Sequence, residues 1–170
     1  MLSYGFPPIS SPTARVLILG SLPGRISLDR GEYYANSQNA FWKIAAVRVP
    51  HLLEPDYASR VVTLINHGIA LWDVLAAATR SGSLDAAIGG DAIPNNFHAL
   101  FHAHPHIRLI CFNGATAAEL YERHVIPMLT DVQRSITKHT LPSTSGAYAR
   151  LSMAEKAARW SLIWADEPVS

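Results

Sequence analysis

With 170 residues, about half of them apolar and 16% charged, the chain can bury a substantial core and is no disordered tail. Its formal net charge of +1, with no polybasic run, neither demands nor excludes a nucleic-acid partner; any basic patch has to be local. One cysteine excludes a disulfide framework or a Cys-ligated metal site within the chain. There is no basic-then-apolar leader and no apolar run near the ~20 residues of a membrane span, so a cytosolic protein is expected.

In chain order, Arg15 to Gly20 (RVLILG) is a continuous apolar run closed by Ser-Leu-Pro-Gly and predicts a buried strand. The connection Glu32 to Trp42 (EYYANSQNAFW) then carries two tyrosines, two asparagines, a glutamine and a Phe-Trp pair, with almost no charge. Helical patterns follow at Asn39 to Val49 and Tyr57 to Gly68. Gly68 to Val74 (GIALWDV) predicts the second strand, with Asp73 either at its end or capping a helix over VLAAATR. A helix is expected at Asn96 to Pro105, and a strand at Ile107 to Gly114 with Cys111 as a small buried hydrophobe. Ala115 to Leu129 is rich in helix formers. Arg134 to Ser145 holds a more polar, β-branched strand that stops at Pro142, and Ser152 is placed to cap a closing helix that runs to Glu167.

Strands alternating with helices predict a three-layer α/β/α sandwich with a small, about four-stranded, mainly parallel sheet, in one domain over residues 1–170. Ligands in such folds bind beyond the carboxyl ends of the strands. That rule selects GSLPG with YYANSQN, then WDVLAAATRSGS, FNG and LPSTSGAY, which are the most polar, Gly/Ser/Asn-rich segments. GSLPG is neither a P-loop nor a dinucleotide fingerprint, and neither G-x-S-x-G nor H-E-x-x-H occurs. His102, His104 and His106 alternate around a proline with no nearby carboxylate, which favours loop histidines over a metal site, and His139 lies near the fourth strand's end. Rings beside amides suit a planar, uncharged heterocycle, which stacks on one and pairs its edge with the other. Hydroxyls and backbone N–H groups of LPSTSGAY suit phosphate, with Gly146 allowing close approach, and Arg25 and Arg80 to Ser83 add local charge. Each of Tyr33, Phe41 and Trp42 taken alone is as well explained by core packing.

Together these segments resemble the uracil-DNA glycosylase superfamily. LILGSLPG is similar to its first motif, a strand ending in G-x-x-P-G. YYANSQNAFWKI is similar to the N-x-F-W-K segment of its mismatch-specific uracil/thymine branch, and LPSTSGAYA to its second motif, a strand ending in x-P-S-x-S that inserts into DNA. The order and spacing match from about Arg15 to Leu151. Two departures stand out. Leu22 occupies the position where many relatives place a water-orienting Asn, Asp or Glu, and Leu141 starts the second motif where many have His or Asn. That combination looks like the hypoxanthine-DNA glycosylase branch, in which the asparagine of the N-x-F-W segment, here Asn39, takes the catalytic role.

The resemblance implies a metal- and cofactor-free monomeric glycosylase acting on double-stranded DNA that contains a deaminated or mismatched base. Asn39 and Asp73 are then the catalytic candidates: Asn39 positions water or sugar, and Asp73 accepts a base N–H or acts as general base. Tyr34 stacks on the flipped base, Ser21 and Gly20 shape the pocket floor, and Asn113 reads a base edge or makes the turn into the next helix. Ser143 and Ser145 hold phosphate, and Tyr148 is the wedge. Two other readings remain: a noncatalytic nucleic-acid binder, favoured by Leu22, and an α/β enzyme acting on free nucleosides. The second leaves the LPSTSGAY loop without a purpose.

Overall fold

The computed structural model describes residues 2–79 and 90–165. Its strands are β1 (Leu2–Tyr4), β2 (Val16–Gly20), β3 (Ile69–Asp73), β4 (Leu75–Thr79), β5 (Ile93–Pro94), β6 (Leu109–Asn113) and β7 (Thr137–Leu141). The helices are α1 (Arg25–Arg30), α2 (Phe41–Ala46), α3 (Tyr57–Asn66), α4 (Phe97–Ala103), α5 (Ala115–His124), α6 (Asp131–Arg134) and α7 (Met153–Trp160).

The four expected strands form one parallel sheet in the order β3-β2-β6-β7. Every residue of β2, β3 and β6 is buried, which is why each reads as an unbroken apolar run. Alternate residues divide between two cores. Leu17, Leu19, Trp72, Ile110 and Phe112 face α4 and α5 through Phe97, Leu100 and Tyr121. Val16, Ile18, Leu71, Leu109 and Cys111 face α2, α3 and α7 through Phe41, Ile44, Leu64 and Trp160. The three-layer sandwich is therefore as expected. Cys111 is fully buried among these side chains, and burial pushes its thiol up to about 12.

The stretch after Asp73 is not the helix that VLAAATR suggests. Val74 and Leu75 donate their N–H groups to the carbonyls of Gly20 and Ser21 at 2.8 and 3.1 Å, and the chain continues extended as β4. This strand runs antiparallel between β1 and β5 in a second, three-stranded sheet. Alanine's helix preference is worth at most about 0.7 kcal/mol per residue. The ladder to β1 and the burial of Leu75, Ala77 and Ala78 outweigh it.

Other boundaries move for local reasons. α5 stops at His124 and gives way to a 3₁₀ turn, Ile126–Met128, around Pro127, which has no N–H to donate. Ser152 caps α7 as expected, in a reciprocal box with Glu155, and the helix passes into a 3₁₀ turn at Ser161–Trp164. The short helices α1 and α6 were not anticipated by periodicity, being under two turns long. The Arg80 to Ser83 segment lies outside the described residues.

Candidate active site

The parallel order puts the carboxyl ends of β2, β3, β6 and β7 along one edge of the sheet. A cavity of about 90 Å³ lies there, room for roughly three waters. It is lined by Gly20 at the end of β2 and Ser21, Leu22, Pro23 and Gly24 after it, by Ser27 of α1, by Tyr33 and Tyr34 of the aromatic connection, and by Asp73, Asn113 and Ser143. Six of the expected site residues therefore converge: Gly20, Ser21, Tyr34, Asp73, Asn113 and Ser143.

Asp73 is 4% exposed and pairs in register with Gly20 across the β2–β3 ladder. A Cβ built on Gly20 would stand 2.5 Å from Asp73 Oδ1 and 3.6 Å from the Tyr34 hydroxyl. Glycine is thus needed at position 20 because the carboxylate fills the space beside it. Burial first, then the Asp73 charge and the neighbouring Tyr34 and Tyr57, hold the Tyr33 phenol far above the ordinary tyrosine range. Tyr33 stays neutral in the cavity wall and donates to the Pro7 carbonyl at 3.5 Å. Asn95 reaches the backbone carbonyl of Asp73 at 2.9 Å and steadies the strand end.

The aromatic connection is organised by ring contacts. Tyr34, at φ 55°, stacks on Phe41 with centroids 4.2 Å apart. Phe41 in turn meets Trp42 and Trp160 edge-on. Trp42 Nε1 donates to the Tyr33 carbonyl, and Trp160 Nε1 to the Pro142 carbonyl. Phe41, fully buried, is core; so are Trp42 and Tyr33, although Tyr33 also lines the cavity.

Asn39 does not line the cavity. Its Oδ1 accepts the Phe41 N–H at 2.9 Å and so fixes the entry to α2. Its side-chain NH₂ has no protein acceptor among the described residues. Asn113 lines the cavity and also ties down the loop after β7. Its Nδ2 donates to Thr144 Oγ1 at 2.8 Å, and its Oδ1 accepts the Thr144 N–H at 2.9 Å. Thr144, 0% exposed, also accepts the Ala40 N–H on its carbonyl at 2.9 Å. One residue therefore ties the Pro142–Gly146 loop to the end of β6 and to the connection that carries Asn39. Sequence reading passed over Thr144, and its only signal was a third hydroxyl inside PSTS.

Ser143 Oγ accepts the Ser145 N–H, and Ser145 Oγ accepts the Ala147 N–H, so both hydroxyl hydrogens can still be donated. Gly146 approaches Gln38 closely: a Cβ there would meet Gln38 Cβ and O at 3.0 Å. Its small size is thus used against the Asn39 connection. Ser145 and Arg25 line a second pocket of about 190 Å³ that adjoins the cavity through Gly24 and Ser27. Tyr148 is not brought to the cavity. It lines a larger groove of about 1020 Å³ beyond Ser143, and Lys156, itself buried, holds its carbonyl at 2.7 Å and sits 5.2 Å over its ring. Leu22 and Leu141 are buried core residues. His139 is exposed on β7, and His102, His104 and His106 precede the opposite, amino end of β6. His104 Nδ1 bonds the Leu100 carbonyl at the end of α4.

A family model, that of the uracil DNA glycosylase superfamily, matches residues 7–166. The chain belongs to this superfamily. It is 37% identical over 165 residues to a protein of Methanosarcina acetivorans named hypoxanthine DNA glycosylase, covering 96% of this chain and 99% of the relative. It is 35% identical to a protein of the same name from Methanosarcina barkeri, covering 95% and 97%. Its fold also matches the solution NMR structure of a Methanosarcina acetivorans protein provisionally described as a uracil DNA glycosylase. The TM-score is 0.77 at 37% identity, with 96% of this chain and 99% of that one covered. The superfamily motifs read in the sequence are the segments that close around the cavity.

Proposed function

We propose that this protein is a DNA glycosylase that extrudes a deaminated base, hypoxanthine first, from duplex DNA and hydrolyses its N-glycosidic bond. The observation that carries the reading is the cavity at the strand ends, with a buried carboxylate and two tyrosines in its wall, in a chain of this superfamily. The names of the two Methanosarcina relatives support hypoxanthine.

In the reaction a water oxygen bonds to C1′ while the C1′–N bond breaks. The bond's electrons leave with the base, and the proton released by water ends on the base, leaving an abasic site. The enzyme's part is to hold the extruded nucleotide, place the water and oppose the charge that develops. The base enters the cavity beside Tyr34 and over the backbone of Gly20 and Ser21. Asn39, held through its side-chain oxygen by the Phe41 N–H, acts through its NH₂ on the water or the sugar; an amide is no strong base, so its effect is positional. Asp73 acts from inside the cavity. Ser143 and Ser145 donate to phosphate oxygens, and Asn113 holds their loop in place while its second amide N–H, not used by Thr144, faces the base edge. Tyr148, anchored by Lys156, flanks the duplex from the neighbouring groove. The protein works as a single-domain monomer in the cytoplasm. Among the described residues no helix is long and apolar enough to cross a membrane.

The test is single-turnover cleavage of duplexes containing deoxyinosine, deoxyuridine or thymine opposite guanine, followed by alkali to break abasic sites. Wild type, Asn39→Ala and Asp73→Ala are compared. Inosine cleavage that falls about 10²-fold or more in Asn39→Ala is the expected result. Intact DNA binding without cleavage of any base would sink the enzyme reading.

A further inference from the structure

Three consecutive peptide units of the aromatic connection are each held by a side chain from a different helix. The unit that joins Glu32 to Tyr33 donates its N–H to the Tyr57 hydroxyl of α3 at 3.0 Å. The next, joining Tyr33 to Tyr34, accepts the Trp42 indole N–H of α2 on its carbonyl at 3.0 Å. The third, joining Tyr34 to Ala35, donates its N–H to Ser27 Oγ of α1 at 3.2 Å. A peptide unit is planar, so fixing the two units that flank the Tyr34 Cα also fixes its φ and ψ.

Tyr34 needs that hold. At φ 55° it is, among the described residues, the single non-glycine in the left-handed region, which an L side chain avoids unless its surroundings over-determine it. The strained backbone gives the ring its direction. It lies 4.2 Å from Phe41, with its hydroxyl beside Gly20, in the wall of the cavity. A ring already in place costs no ordering when a base arrives.

Tyr57 can anchor this arrangement because its own place is firm. It opens α3 directly after Asp56, whose carboxylate accepts the Ser59 N–H at 2.9 Å and caps the helix. One turn on, the Arg60 guanidinium lies 5.5 Å from the Tyr57 ring centroid and 4.7 Å from that of Trp42. One cation thus joins the two side chains that grip Tyr33, and their rings meet edge-on at 6.1 Å. Arg60 Nε has no hydrogen-bond partner among the described residues, and the contact to Glu32 is long at 3.9 Å, so the rings are its main hold.

We propose that Tyr57 is a positioning residue for base excision. Acting through Tyr33 and backed by Arg60, it sets the Tyr34 ring at the cavity before the nucleotide is extruded, although no residue of α3 lines the cavity. This rests on the glycosylase reading above and extends the machinery to a helix outside the strand-end loops.

Tyr57→Phe tests it, since the change removes the hydroxyl and keeps the ring for Arg60 and Trp42. Single-turnover cleavage of a deoxyinosine duplex at saturating enzyme is measured beside the Kd for the same duplex without damage. The rate is expected to fall about 10- to 100-fold. The Kd, set mainly by phosphate contacts, is expected to change by less than about threefold. In a Tyr34→Ala background, where the ring is gone, Tyr57→Phe is expected to change the rate by less than about twofold. An equal loss in both backgrounds, or an unaltered rate with Tyr34 present, overturns the proposal. NMR of tyrosine-labelled protein reads the ring without activity. Stacking on Phe41 shifts the Tyr34 ring protons upfield, and in Tyr57→Phe they are expected to move toward the unstacked value while those of Tyr121, in the opposite core, stay in place. Tyr34 signals that do not move refute the clamp. Wild type that cleaves no base removes the glycosylase reading, and the NMR comparison still judges the clamp. Should Tyr57→Phe not fold, Arg60→Met takes its place with the same readouts; a rate loss of about three- to tenfold is expected, and none overturns the proposal.

Discussion

Thr144→Val isolates one hydrogen bond in the loop after β7. Thr144 is fully buried, and its Oγ1 accepts from Asn113 Nδ2 at 2.8 Å. Valine has nearly the same shape, so the change removes the acceptor and leaves a buried N–H without its partner. Such a donor costs about 1–3 kcal/mol, and in a chain of this length each kcal/mol lowers Tm by about 2–4 °C. The second Asn113–Thr144 bond runs to the backbone N–H and survives the substitution. In an Asn113→Ala background no side-chain bond remains for Thr144→Val to break, so its cost there falls to near zero. Urea denaturation of the two single variants and the double variant closes the cycle, with an expected coupling of about 1–2 kcal/mol. Additivity within about 0.5 kcal/mol would show that the two side chains do not act together, and the loop-clamp argument would be wrong. Function adds a second readout. A loop displaced by as little as about 1 Å lowers single-turnover cleavage around 10²-fold, and Thr144→Ser, which keeps the hydroxyl, restores most of it.

Gly20→Ala is expected to abolish cleavage with limited loss of fold, because its Cβ would collide with Asp73 Oδ1 and push the carboxylate out of place. Wild-type cleavage in that variant would show that the position of Asp73 is not critical. Cys111 carries a pH signature. Its folded-state value, pushed up to about 12 by burial, exceeds that of an exposed thiol, so above about pH 9 the unfolded chain loses a proton that the native one keeps. Its contribution is therefore fully present below that pH and declines as pH rises toward 12, by at most about 1.4 kcal/mol per unit. Denaturation at pH 8 and pH 10.5 reads the slope, which should be shallower in Cys111→Val. An unchanged slope assigns the alkaline loss to the buried tyrosines Tyr33 and Tyr121 instead.

What could be read from the sequence follows the range of the interactions involved. β2, β3 and β6 are legible because a strand buried on both faces has no polar residue to interrupt it. The end of α4 before Pro105 and the Ser152 cap are legible because their causes lie within four residues. β4 was not, since LAAAT favours a helix until β1, more than seventy residues earlier, supplies its ladder. β5 is two residues long and includes Pro94, an edge position that periodicity does not reach. In the site, Asp73 and Gly20 were found because the strand-end rule is topological. The tie between Asn113 and Thr144 spans 31 residues and depends on how the loop after β7 folds back, which no local pattern encodes. The cavity's small volume likewise depends on where Leu22 and the tyrosines come to rest.

Trp160 carries a consequence for how the protein is made. It belongs to α7, yet it packs edge-on against Phe41 and donates to the carbonyl of Pro142. Phe41 in turn supports Tyr34 at the cavity. A nascent chain on the ribosome can therefore complete the seven described strands and still lack the brace for the aromatic connection, which takes its place only when the chain has emerged past Trp160. Contacts between the first quarter of a chain and its far end also slow folding, because the closure entropy is paid before the contacts form. An incomplete translation product that stops before α7 would thus carry every residue of the cavity lining but lack the ring that braces Phe41 and, through it, Tyr34.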